Sequence, residues 1–175
     1  MLVSNRLCVR LMEIQDLEKA RLLHNEESTL NRLSDPFHVS QEEQVEWFRN
    51  LSKSRKQRRY VILNRENDEL VGVIRVDQID LVNRSCEIGA DVLPSMRRQG
   101  VASEAYGLII NYLFNTMGIH RLQLLTLVSN RAAINLYEKL GFKREGILRE
   151  SIARDGNFID LILMSLLSQE WKMLE

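Results

Sequence analysis

Three observations predict an α/β fold for this chain: a mixed sheet, parallel at its centre, with helices packed on both faces. First, strand-like segments lead and are followed by a strand–helix–strand–helix–strand succession, which calls for crossover helices and a parallel centre. Second, Arg97-Arg98-Gln99-Gly100-Val101-Ala102 breaks two hydrophobic patterns and places a donor-rich turn where a strand becomes a helix. Third, no repeat, low-complexity tract or Pro/Gly/Ser linker interrupts the 175 residues, so 1–175 is expected to be a single domain.

The elements follow in order. Arg6 to Met12 reads as a first strand and Asp16 to His24 as a helix carrying Leu17, Ala20, Leu23 and His24 near one face. Asn25 to Val39 is polar and holds Asp35-Pro36, which predicts a loop or a short broken helix. Ser40 with Glu43 forms a capping box that opens a helix through Val45, Trp47, Phe48 and Leu51. Strands are expected at Tyr60 to Leu63 and Leu70 to Ile79, joined by the polar turn Glu66-Asn67-Asp68. After a turn at Asn83-Arg84, the alternation of Cys86, Ile88, Ala90 and Val92 marks a strand that Pro94 ends. Val101, Ala105, Leu108, Ile109, Tyr112 and Leu113 recur at helical spacing. A strand at Arg121 to Val128, a helix from Asn130 to Leu140, and strands near Phe142 to Glu150 and Phe158 to Leu167 complete the chain, the last two joined as a hairpin at Asp155-Gly156-Asn157.

Composition narrows the class. With 45% apolar and 27% charged residues the chain can bury a sizeable core. Its 24 basic and 24 acidic side chains cancel, whereas a general nucleic-acid or anionic-membrane binder is usually basic. Neither class of partner is expected. Arg6 and Arg10 precede no apolar run long enough for a signal peptide or a membrane span, so a cytoplasmic protein is expected. Cys8 and Cys86 read as buried free thiols, and His24, His38 and His120 show no zinc spacing. No metal is expected. Nucleophile-elbow, Walker-type and dinucleotide glycine motifs are absent.

The turn at Arg97 to Ala102 has the chemistry of an anion cradle. Gly100 lets backbone approach a ligand, the first amides of the following helix lack intrahelical partners, and the helix dipole favours negative charge there. Arg97 and Arg98 add charge of the right sign. About thirty residues on comes a second motif, Asn130-x-x-Ala133-x-x-x-Tyr137-x-x-x-Gly141-Phe142.

With both motifs at this spacing, the chain resembles the GNAT superfamily of acyl-coenzyme A-dependent N-acetyltransferases, over about residues 70 to 168 and more loosely throughout. Arg97, Gly100 and Ala102 match the fixed letters of the family's Q/R-x-x-G-x-G/A motif. The resemblance implies a GNAT-like sheet whose two central strands splay into a V, with acetyl-coenzyme A as co-substrate in the gap. It implies that amides around Arg98, Gln99, Gly100, Val101, Ala102 and Ser103 hold the pyrophosphate, and that Ala90, Asp91 and Val92 pair with the pantetheine arm. Asn130 corresponds to the asparagine that contacts pantetheine, Asn135 joins the coenzyme-binding set, and Tyr137 corresponds to the usual general acid.

Acetyl transfer also needs a proton acceptor, since a free alkylamine with a pKa near about 10.4 is mostly ammonium at neutral pH. The position that carries a catalytic glutamate in similar ribosomal-protein acetyltransferases is Leu125 here, so Glu87 is the expected base, with a water relay or a structural Glu87–arginine pair as alternatives. Glu87, Gly89 and Asp91 share one face of their strand, opposite Cys86, Ile88 and Ala90.

The acceptor is expected to be set by residues before the cradle. Glu26, Glu27, Asp35, Glu42, Glu43 and Glu46 make that half acidic, in keeping either with a cationic acceptor or with solvated helix faces. Similarity to spermidine, ribosomal-protein N-terminal and nucleotide-sugar acetyltransferases leaves a small amine, an amino sugar or a protein N-terminus open. Trp47 and Phe48 either stack on a sugar or base or anchor their helix to the core. A homodimer is a further expectation, though the sequence itself does not set the oligomeric state. The reading from a different class is a non-catalytic acyl-coenzyme A binder, a sensor or assembly subunit, which would have no need of Tyr137 as an acid.

Overall fold

A computed structural model describes residues 1–33 and 36–172. Strands β1 (Leu2–Val3) and β2 (Leu7–Leu11) lead through a 3-10 turn at Ile14–Asp16 into helices α1 (Leu17–His24), α2 (Glu27–Leu30) and α3 (Gln41–Lys53). Then come β3 (Arg58–Asn64), β4 (Leu70–Asp80), β5 (Ser85–Val92), α4 (Val101–Asn115), β6 (Arg121–Leu127), α5 (Arg131–Lys139), β7 (Lys143–Arg154) and β8 (Asn157–Leu167). They form one eight-stranded sheet in the order β1-β2-β3-β4-β5-β6-β8-β7.

The parallel part of the sheet is a single pair, β5 with β6, and every other pairing is antiparallel. Even that pair is in register only at Ser85↔Arg121, Cys86↔Leu122 and Glu87↔Gln123. Beyond Glu87 and Gln123 the two strands part. Each stays bound to its outer neighbour, β5 to β4 as far as Val92 and β6 to β8 as far as Leu127, so the sheet opens in its middle.

Side-chain alternation sorts the two faces. Cys86 and Ile88 join Ala105, Ile109, Ile110 and Leu113 of α4 and Ile134 of α5 in one core. On the opposite face Val61, Leu63 and Val73 pack with Leu17, Ala20 and Leu23 of α1, and with Val45, Trp47 and Phe48 of α3. Ile109, Ile110 and Leu113 are fully buried, each burial contributing roughly 2 kcal/mol, which fixes α4 and therefore its N-terminus against the sheet.

The capping box forms as read: Glu43 N donates to Ser40 Oγ at 3.2 Å and Ser40 N to Glu43 Oε2 at 2.8 Å. The polar stretch after Asn25 contains the one-turn helix α2, with Glu26 capping it by accepting from Thr29 N at 2.9 Å. Asp35 of the expected Asp35-Pro36 break lies outside the described residues. Strand β1 was not expected, since two residues show no alternation. Strand β7 runs on past Glu150 to Arg154; it is solvent-exposed almost throughout and its register with β8 shifts between Leu148 and Ile152, so no clean two-residue period marks it.

Candidate active site

At the mouth of the V, Gly100 adopts the left-handed conformation (φ 81°, ψ −3°) as the N-cap of α4. Among the described residues no side chain caps this helix, and its first internal bond runs from Glu104 N to Gly100 O at 3.0 Å. The amides of Val101, Ala102 and Ser103 thus precede the ladder, at the positive end of a fifteen-residue helix. Arg98, also at positive φ (62°), lines the same cleft of about 340 Å³ with Gly100, Ala102 and Ser103, between Ala90, Asp91 and Val92 on one side and Asn130 and Tyr137 on the other. A diphosphate fits this donor set, because uncapped amides and a guanidinium-bearing residue line the same cleft.

The neighbouring side chains have other tasks. Gln99 turns away, donating through Nε2 to Ser95 O at 2.7 Å. Arg97 clamps the roof: Nε donates to Val92 O at 3.0 Å and Nη2 to Thr29 Oγ1 at 2.9 Å, with Nη1 on Ser28 and Glu26 3.6 Å away. Burial and nearby Arg32 lower its pKa from the usual arginine value. From the hairpin, Arg154 holds the same roof, donating to the carbonyls of Asn31 and Leu33.

Asn130 is the N-cap of α5, its Oδ1 accepting from Ala133 N at 3.3 Å, which leaves its amide group for the cleft it borders. Asn135 lies on the exposed side of α5 and does not line the cleft. Tyr137 is buried, held edge to face by Tyr106 (5.7 Å, 88°) and tilted against Phe142 (5.9 Å, 57°). Its hydroxyl lies 3.4 Å from that of Tyr106, and burial raises its pKa, so the phenol stays protonated at neutral pH.

Tyr137 also borders a second cavity of about 320 Å³, where Glu87 is found. Desolvation, and then the charge of Asp77 directly across in β4, raise the pKa of Glu87; Gln78 Nε2 donates to its Oε2 at 3.2 Å. Leu125 lines both the cleft and this cavity, so the position of the ribosomal-type glutamate lies in the site but brings no carboxylate. A third cavity, about 510 Å³, opens beneath α1 and α3 and is bordered by His24, His38, Glu43 and Trp47.

The acidic residues of the roof do not line an acidic funnel. Of Glu26, Glu27, Glu42, Glu43 and Glu46, Glu43 alone borders a cavity, and its carboxylate is committed to the cap of α3; Asp35 lies outside the described residues. Trp47 and Phe48 anchor α3 to the core, and the Arg59 guanidinium sits 5.5 Å from the Trp47 ring centre. Cys86 and Cys8 are free and buried, the Cys86 thiol pushed up to about 12 by desolvation.

What the motifs did not reveal is the charged floor of these cavities, Arg59, Arg75 and Asp77. Arg59 Nη1 donates to Asp77 Oδ1 at 2.7 Å. Arg75 lies 3.4 Å from Asp91 and borders the cleft and both cavities. The signal was present: in Leu70-Val71-Gly72-Val73-Ile74-Arg75-Val76 a single guanidinium interrupts an otherwise apolar strand.

Comparison with known proteins accords with this geometry. The family described as acetyltransferase (GNAT) domain matches residues 6–143. The uncharacterized N-acetyltransferase p20 of Bacillus licheniformis is 31% identical over 97% of each chain. The spermidine N(1)-acetyltransferase of Vibrio cholerae is 25% identical, again over 97% of each chain. A crystal structure of spermidine N-acetyltransferase from Vibrio cholerae in complex with CoA and spermine superposes with a TM-score of 0.90 at 26% identity, covering 95% of this chain and 98% of that one.

Proposed function

The chain belongs to the GNAT acetyltransferases, acetyl-CoA-dependent enzymes, and on that premise we propose that it acetylates the primary amine of a small molecule, with Glu87 as base and Tyr137 as acid. The observation that carries this reading is the position of Tyr137, which borders both the cleft at the head of α4 and the cavity containing Glu87. The coenzyme supplies an activated thioester carbonyl. The amides of Val101, Ala102 and Ser103, with Arg98, bind its diphosphate; Ala90, Asp91 and Val92 offer backbone to its pantetheine arm, and Asn130 its side-chain amide.

From the other side, the acceptor must arrive as a free amine or lose its proton in place. Glu87 is suited to take that proton because burial and Asp77 bring its pKa up towards working pH. Tyr137 holds its own proton for the opposite reason, desolvation of a phenolate, and so presents an O–H to the departing sulfur. A thiolate with a pKa of about 8.5 is a weaker base than such a phenolate. The tyrosine therefore stabilises the developing charge chiefly by hydrogen bonding.

The test is thiol release from acetyl-CoA in the presence of amino acids, amino sugars, polyamines and N-terminal peptides. Release with a small amine is expected. No release above the uncatalysed rate with any of them, while the coenzyme binds, would overturn the reading.

A further inference from the structure

Resting on the acetyl-transfer reading, we propose that the acceptor amine carries an anionic group, a carboxylate or a phosphate, and that Arg75 is the residue that binds it. Of the described charged residues, Arg75 alone borders the coenzyme cleft and both acceptor-side cavities. Its side chain is 35% exposed, and its only carboxylate contact among the described residues is the ion pair with Asp91 at 3.4 Å, without a hydrogen bond. Arg59 contrasts with it, tied to Asp77 at 2.7 Å and set against Trp47. A guanidinium fork with its donors unspent, held inside a cleft, is matched by the paired oxygens of a carboxylate or phosphate.

The seat for this side chain is built into the sheet. Arg75 pairs across β4 and β5 with Gly89, and a Cβ at position 89 would stand 2.6 Å from Arg75 Nη2 and 3.1 Å from Nε. Only a residue without a side chain lets the guanidinium lie across β5, between Glu87 and Asp91 on the same face. The lining of the second cavity then offers Arg59 and Arg75 from the sheet and Arg32 from the segment after α2, against Asp77 and Glu87. With Arg59 already paired to Asp77, the lining keeps an excess of guanidinium over carboxylate, which disfavours a polycation. It suits an amphoteric acceptor whose amine faces Glu87 while its anion is held by Arg75.

The experiment measures kcat and KM for matched pairs of amines with and without the anion: glucosamine 6-phosphate against glucosamine, an amino acid against its amide, and spermidine as the polycation. For the wild-type protein kcat/KM is expected to be at least tenfold higher for the anionic member of one pair, through KM, and the pair concerned tells phosphate from carboxylate. Arg75→Gln should bring that ratio towards one, and Arg75→Lys, which keeps charge but loses the fork, should restore it in part. Because the wild-type ratio needs no variant, a variant that fails to fold leaves the test intact. Spermidine acetylated faster than every anionic amine, or a ratio unchanged in folded Arg75→Gln, would overturn this inference while acetyl transfer stands. No thiol release with any amine would overturn both.

Discussion

The hydroxyls of Tyr106 and Tyr137 stand 3.4 Å apart in the interior, their rings edge to face, so each phenol is oriented by the other, while burial keeps both from ionising readily. Replacing Tyr137 by Phe keeps the ring contacts with Tyr106 and Phe142 and removes only the donor. The expected outcome is a loss of kcat of about 10²-fold, the low end for a positioned acid, with a coenzyme Kd changed less than about threefold. Tyr106→Phe should cost less, because Tyr106 acts through Tyr137. Steady-state kinetics with isothermal titration of coenzyme separates the two quantities.

With Glu87 as the proposed base, the acid side of the rate profile should report its titration. A base must be deprotonated, so kcat/KM should fall as pH drops through a pKa above the ordinary carboxylate value, raised by burial and Asp77. Glu87→Gln should remove that limb and leave a slower, flatter profile. A wild-type limb that persists unchanged in Glu87→Gln would assign the titration to another group.

Gly100→Ala should weaken coenzyme binding. At φ 81° an alanine is strained by about 1 kcal/mol or more, and its Cβ would meet Arg6 Nη2 at 3.3 Å. Titration should show Kd raised roughly fivefold to tenfold, with turnover at saturating coenzyme largely retained.

Stability in acid should depend on Glu145. Hydrogen bonds from Arg121 and Ser165 lower its pKa to about 2. A depressed carboxylate stabilises the folded state fully above its unfolded value of about 4.3, and that stabilisation is lost as pH falls towards the folded value. Urea midpoints for Glu145→Gln should therefore lie below wild type near neutrality and converge with it towards pH 2. The pair is partly exposed, so the gap should be modest.

Arg154→Ala should act at a distance. It removes the bonds from the hairpin to the carbonyls of Asn31 and Leu33, and the roof they hold borders the acceptor cavities. Acceptor KM should rise several-fold and by more than coenzyme Kd, since the same roof residues Arg32 and Leu33 also border the coenzyme cleft, as measured by the same kinetics with coenzyme titration.

Much of the local structure is legible in the residues themselves. The cradle could be read because three local signals coincide at residues 94 to 103: Pro94 ends a strand, Gly100 permits a left-handed cap, and a helical period begins at Val101. Asn130 and Tyr137 enter through the family resemblance that their spacing carries. Arg75 escaped because its meaning is not local: only the antiparallel register brings Gly89 beneath it, and only the cavities show that it borders both substrates' sides. The acidic half stays ambiguous in the sequence for the converse reason. Charge counts do not say which carboxylates are spent on helix caps, as those of Glu26 and Glu43 are.

The early parting of β5 and β6 has a consequence for how this enzyme can diverge. Beyond Glu87 and Gln123 the strands turn backbone N–H and C=O groups towards each other without pairing, an interior edge of the kind that accepts an extended segment by main-chain bonds. Recognition drawn from the main chain is indifferent to the side chains that project above it. On the proposed roles, substitutions at positions such as 75 and 125 would then retune the choice of acceptor without relinquishing the donor, so one half of the reaction would stay fixed while the other is free to evolve.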